Sequence, residues 1–383
     1  MPSATPVPAI YQKLGVKPII HGAGTTTRYS GSLLRPEVIE AMREASQVYV
    51  NIDELNDAAG EAIARMIGAE AALVTGGAAA GLVLQAAACI AGDDPANITR
   101  LPDTTGMKNE LIIQRMHRFT YDQAFRLAGG VLVDIGLGRR TMPYELEAAI
   151  TDKTAAVVDL KSPFTSPPGV LSLEEVCQIA HRHGVPVIVD AASMLPPRDN
   201  LRKYLRQGAD LVNFSGGKGI RGPQSTGILA GRKELVRAAA LNASPNQGVG
   251  RPSKTSKEEI VGLVTALELF LAEDEEAEMR RYRQVCQRIV DALSDLAGLR
   301  CMVEHDGINR IIPHAVIYFE PAWNGPSGHD VREALAKGDP HIYIQQGTQQ
   351  GGYFDEIAVD PINLQPGDEE IIAQRLRQEL TRR

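Results

Sequence analysis

Lys218 lies in Asn213-Phe214-Ser215-Gly216-Gly217-Lys218-Gly219, just after the strand-like run Ala209 to Phe214. Asp190 closes a second apolar run, Val185-Pro186-Val187-Ile188-Val189, which reads as a buried strand of a parallel sheet. A carboxylate at one strand end and Ser-x-x-Lys after another meet the needs of a pyridoxal phosphate (PLP) site. The lysine amine bonds the cofactor's aldehyde, the carboxylate holds a proton on the pyridine nitrogen, and the Ser215 hydroxyl takes the phosphate. The separation of 28 positions from Asp190 to Lys218 leaves room for a helix, and Pro197 to Gln207 supplies one. Taken singly, an Asp at a strand end is more often a cap, and a Lys among glycines a solvated loop residue. Only the combination points to chemistry.

A third element strengthens it. In Val74-Thr75-Gly76-Gly77-Ala78-Ala79-Ala80-Gly81 a strand ends, small residues turn and an apolar helix begins. Small side chains let the backbone approach a ligand, and a helix N-terminus favours a phosphate. Between this turn and Asp190, Ile113-Gln114-Arg115-Met116-His117-Arg118 follows a strand and offers His117 as a ring to stack on the cofactor. A lone histidine is otherwise a surface or hydrogen-bonded structural residue.

The elements that must position these groups alternate from about residue 60 to 230, which argues a wound α/β sheet. Strands are predicted at Ala71–Thr75, Leu111–Ile113, Gly130–Ile135, Ala155–Leu160, at the Asp190 and Lys218 runs, and at Thr226–Ala230. Helices are predicted at Glu61–Ile67, Ala79–Ile90, Tyr144–Ile150 and Leu173–His183. Asn242 to Ser256 reads as a loop, and a long helical region follows from about Lys257 to Leu296. Its acidic centre, Glu273 to Glu276, reads as a solvated face. Strands near Ala315–Phe319 and Ile342–Ile344 and a last helix from Pro366 to about Thr381 complete a smaller α+β domain. The expected division is an N-terminal arm at 1–20, a large cofactor-binding domain at 21–257 and a small C-terminal domain at 258–383.

With 383 residues the chain exceeds one small core. Its 44% hydrophobic and 23% charged residues are those of a soluble globular protein. A net charge of −7 argues against nucleic acid as the main partner. Cys89, Cys177, Cys286 and Cys301 lack metal-ligand spacing, so no metal site is expected. No apolar stretch has membrane-span length, and Pro2 to Pro8 lacks the apolar core of a signal peptide. The expectation is a cytoplasmic protein.

The segment Phe214-Ser215-Gly216-Gly217-Lys218-Gly219-Ile220-Arg221-Gly222-Pro223-Gln224-Ser225-Thr226-Gly227 resembles a bacterial PLP-dependent group related to selenocysteine synthase (L-seryl-tRNA selenium transferase), nearest to its D-glucosaminate-type ammonia-lyase branch. Gly24-Thr25-Thr26-Thr27, Thr75 to Ala80, Asp190-Ala191-Ala192-Ser193 and Gly250-Arg251-Pro252 agree with it. The resemblance implies the fold-type I, aminotransferase-like architecture and a homodimer or higher oligomer with sites at subunit interfaces. It implies that Lys218 carries PLP, that Asp190 meets the pyridine nitrogen, and that Gly77, Ala78, Ala79 and Ser215 hold phosphate. His117, Ser193 and Gln224 complete the cofactor shell, with Arg221 and Gln224 implied to serve the same or the neighbouring site. His21 stands where relatives often have Asn, and Tyr343 to Thr348 lacks the arginine that many fold-type I enzymes use for the substrate carboxylate. Thr26, Arg28, Arg251 and Lys254 are therefore the substrate-binding candidates, although each cation alone reads as a solvated surface residue.

The implied reaction is α,β-elimination from a small β-hydroxy-α-amino acid, a 2-amino sugar acid such as D-glucosaminate or its 6-phosphate, giving a 2-keto acid and ammonia. An amino-acid racemase or epimerase, or an aminotransferase, is the alternative. A tRNA-dependent selenium transferase stands behind these.

Overall fold

In the computed structural model the described residues are 7–163, 165, 167–346 and 355–382. Residues 2–6 of the Pro/Ala-rich start, and Gly347 and Thr348 of the segment without arginine, lie outside them. In chain order the strands are β1 (Ile19–Gly22), β2 (Ala71–Thr75), β3 (Glu110–Gln114), β4 (Val131–Ile135), β5 (Thr154–Leu160), β6 (Val187–Asp190), β7 (Leu211–Ser215), β8 (Gly227–Gly231), β9 (Leu299–Glu304), β10 (His314–Phe319), β11 (His341–Gln346) and β12 (Glu356–Val359). The chain forms two compact units, Ser32–Ala272 and Met1–Gly31 with Glu273–Arg383.

The larger unit is built on a seven-stranded sheet of order β2-β8-β7-β6-β5-β3-β4. Neighbours from β7 through β6, β5 and β3 to β4 are parallel, while β8 runs antiparallel to both β2 and β7. The continuous apolar runs are explained by burial on both faces. Along β5, Val157 packs into one core with Val187, Val189 and Val212, while Ala156 and Val158 face the other with Ile188 and Leu211. The helix Ala78–Ala91 is apolar almost all round because it is enclosed in the second core. Its Gln85, fully buried, donates to Val189 O at 3.1 Å and ties it to β6.

The smaller unit holds a five-stranded sheet of order β1-β11-β12-β10-β9, with β1 parallel to β11 and the remaining pairs antiparallel. The long helical region is two helices, Lys257–Ala272 and Glu275–Asp291. Asp274 is the N-cap of the second, its carboxylate accepting from Ala277 N at 3.0 Å, and Glu275, Glu276 and Glu278 fill the first turn. The acidic cluster read as a solvated face is thus a helix start, where the backbone dipole favours carboxylates. The break coincides with the division between the units, so Lys257–Ala272 belongs to the larger one.

Candidate active site

Parallel topology brings the ends of β5, β6 and β7 side by side, the edge at which wound α/β sheets take ligands. Asp190 ends β6 and pairs in register with Leu160 on one side and Asn213 on the other. Lys161 N donates to Asp190 O at 2.8 Å, and Ala191 N to Asn213 O at 2.9 Å. The Asp190 carboxylate is buried and accepts from Ala192 N at 3.0 Å. Burial pushes its pKa up to about 6, against the Ala192 hydrogen bond and the charge of Lys218. Burial also lowers the Lys218 amine from its ordinary value, with Asp190 opposing the shift. Each group feels the other's charge, so the two residues singled out from the sequence lie near each other.

The turn carrying Lys218 is held from outside. Ser32 Oγ donates to Gly217 O at 3.0 Å and Lys218 O at 2.9 Å. Ser215, the last residue of β7, is buried. Ser193 lies half-buried on the turn after Asp190, and Gln224 is exposed.

The small-residue turn does what its composition suggests. Gly77, with φ +87°, is the N-cap of Ala78–Ala91 and offers no side chain, and no acid lies in the first turn. The N–H groups around Ala78 and Ala79 therefore lack a side-chain acceptor and suit an oxyanion. Asn213, on the strand before Lys218, fixes this helix: its Nδ2 donates to Ala78 O at 2.8 Å. A Cβ at Gly81 would lie 2.0 Å from Asn213 Oδ1, so only glycine lets helix and strand approach this closely. A Cβ at Gly76 would lie 2.3 Å from Ser253 O. That close approach sets the loop of Arg251 and Lys254 directly on the turn. Arg251 is half-buried and Lys254 exposed.

His117, 1% exposed, follows β3 on a short 3-10 turn. Leu160 N donates to its Nδ1 at 3.3 Å, and its Nε2 lies 3.0 Å from Thr165 O. An accepting Nδ1 and a donating Nε2–H define a neutral ring, and burial lowers its pKa despite nearby Asp159. Asp159, fully buried, has Lys161 Nζ 2.7 Å away. Thr26 and Arg28 belong to the smaller unit, where both are exposed and Thr26 Oγ1 donates to Ala23 O at 3.0 Å. His21 is also there, buried and with its pKa lowered chiefly by burial. Among the described residues no His, Cys, Asp or Glu group is arranged to hold a metal ion, and no helix is long and apolar enough to cross a membrane.

The fold and this site define a fold-type I PLP-dependent enzyme. At the level of fold alone, a Thermus thermophilus aspartate aminotransferase matches with TM-score 0.57 at 19% identity, covering 98% of this chain and 99% of that one. More specifically, residues 21–293 match the L-seryl-tRNA selenium transferase (SelA) family, and the chain belongs to it. It is 34% identical over 375 residues to the D-glucosaminate-6-phosphate ammonia lyase of Salmonella typhimurium, covering 97% of this chain and 98% of the relative. A solved structure of D-glucosaminate-6-phosphate ammonia-lyase superposes with TM-score 0.84 at 33% identity, covering 98% of this chain and 99% of that one. It is also 34% identical over 375 residues to a 5'-C-glycyluridine monooxygenase-decarboxylase of a Streptomyces species, covering 96% of this chain and 91% of the relative.

The residues fit the cofactor. The close approaches at Gly76 and Gly81 shape an uncapped, acid-free helix start for a phosphate. The buried Asp190 carboxyl and the Lys218 amine, its pKa lowered by burial, are the acid and the amine that a pyridine nitrogen and an aldehyde require.

Proposed function

We propose that this chain is a PLP-dependent ammonia lyase acting on a 2-amino sugar acid, D-glucosaminate or its 6-phosphate. The observation that carries the reading is the Lys218–Asp190 pair at the sheet edge, in a chain similar over nearly its whole length to an enzyme of that activity. Bound PLP supplies the electron sink for a Cα carbanion. Lys218 would hold the cofactor through Nζ and would be freed as an amine when substrate binds. The freed amine, uncharged more readily because burial lowers its pKa, takes the Cα proton. The same Lys218 amine, now carrying that proton, would return it to the departing Cβ hydroxyl, which leaves as water as the Cα–Cβ double bond forms. The released enamine takes up water and gives 2-keto acid and ammonia. Asp190 keeps a proton on the pyridine nitrogen. Gly77, Ala78, Ala79 and Ser215 hold the phosphate, and Ser193 and Gln224 flank it. His117, 1% exposed with both ring nitrogens bonded within the chain, offers no open face to stack on the cofactor, a correction to its expected role. Thr26, Arg28, Arg251 and Lys254 serve the substrate. The net charge of −7 speaks against a tRNA-bound substrate.

A second reading, oxygen-dependent decarboxylation, is favoured by the equal identity to the Streptomyces monooxygenase-decarboxylase. The test offers the purified enzyme D- and L-β-hydroxy amino acids and 2-amino sugar acids, with and without oxygen. Equimolar ammonia and keto acid formed anaerobically support the lyase. Oxygen uptake with carbon dioxide release supports the second reading. Solvent deuterium at Cα without ammonia would mean a racemase or epimerase and overturn both. The protein is also read as a cytoplasmic homodimer or larger assembly with sites composed from two copies. Sedimentation of an active monomer at assay concentration would refute that assembly.

A further inference from the structure

Arg221, three residues after Lys218, holds φ +61°. Among the described residues, Ser30 is the other non-glycine with a left-handed backbone. The conformation costs an L-residue free energy and comes freely to glycine. Two backbone bonds impose it: Arg221 N donates to Lys218 O and Gly222 N to Gly216 O, both at 2.9 Å. The Ser32 hydroxyl grips the same turn through the carbonyls of Gly217 and Lys218. An arginine is therefore kept where glycine would be more stable, rooted in the turn that carries the amine. Its charge is uncommitted. The guanidinium pairs with no carboxylate among the described residues, and its contact is Nε to Leu33 O at 3.5 Å, the outer limit of a hydrogen bond. Strain retained beside a reactive group is strain with a use. A planar guanidinium is the group suited to bidentate binding of carboxylate or phosphate.

We propose that Arg221 is a substrate-binding residue that takes an oxyanion of the sugar acid, its carboxylate or its phosphate ester. This rests on the ammonia-lyase reading. The test compares wild-type holoenzyme with Arg221→Gln and Arg221→Gly on D-glucosaminate and D-glucosaminate 6-phosphate, measuring KM, kcat and the melting temperature. Both variants are expected to raise KM roughly ten- to hundredfold with a smaller change in kcat. Arg221→Gly is expected to melt above the wild type, because it releases the strained backbone. A rise in KM confined to the phosphorylated substrate assigns the phosphate; an equal rise for both assigns the carboxylate. Unchanged KM for both substrates overturns the proposal, as does a lower melting temperature for Arg221→Gly, which would make the side chain structural. A wild type inactive on both sugar acids refutes the lyase reading itself, and this inference with it.

Discussion

Replacing Asp190 by asparagine separates what this carboxyl costs the fold from what it gives the chemistry. Its pKa rises from 3.8 to about 6, chiefly by burial. At ~1.36 kcal/mol per pKa unit, that shift is worth about 3 kcal/mol. Because the folded value is the higher one, the associated stability is fully present below the unfolded pKa. It is lost as pH rises through the folded pKa. Cofactor-stripped Asp190→Asn, which cannot ionise there, should therefore exceed the stripped wild type by about 3 kcal/mol at pH 8 and by about half that at pH 5. Urea unfolding followed by far-ultraviolet circular dichroism at the two pH values measures it. With cofactor bound, the same variant should lose about a hundredfold or more in kcat, the scale of removing a preorganised electrostatic partner. An asparagine variant no more stable than wild type at pH 8, or more stable by the same amount at both pH values, would refute the reasoning.

Two further substitutions probe the supports of the site. Gly81→Ala places a Cβ against Asn213 Oδ1; it should destabilise the larger unit by about 1–3 kcal/mol and weaken cofactor binding, both read by denaturation and spectral titration. His117→Phe keeps a ring but strands Leu160 N and Thr165 O; it should cost about 1–3 kcal/mol of stability yet leave the pH profile of kcat/KM unchanged, because the histidine is already neutral.

The strands and turns that carry the candidate residues were legible because their signals are local. Asp190 closes a continuous apolar run and Lys218 follows a strand-like one by a glycine turn, and such runs form strands when both faces of a parallel sheet are covered. The glycines and alanines before Leu82 announced a close backbone approach. What escaped is non-local. Asn213 bonds Ala78 across 135 residues, and Ser32 reaches Gly217 across 185. Nothing in the flanking sequence of either predicts such a partner. Asp274 and Glu276 are exposed, as a solvated face requires, but the helix start they mark stayed hidden because a run of four acids has the same composition on any exposed face and in a first helical turn. β9 and β12 mix polar and apolar residues without a long continuous apolar run, and their places beside β10 depend on pairing rather than on pattern. Arg221 was named by the resemblance, but its left-handed backbone is not readable from sequence, since that conformation favours glycine.

The central claim is that Lys218 is the amine that binds the cofactor, opposite Asp190. Borohydride reduction of the yellow holoenzyme, which makes the lysine–cofactor bond permanent, followed by peptide mapping tests it directly. The account predicts one modified peptide with the label on Lys218 and no label in Lys218→Ala. A label on Lys161 or Lys233 would contradict it.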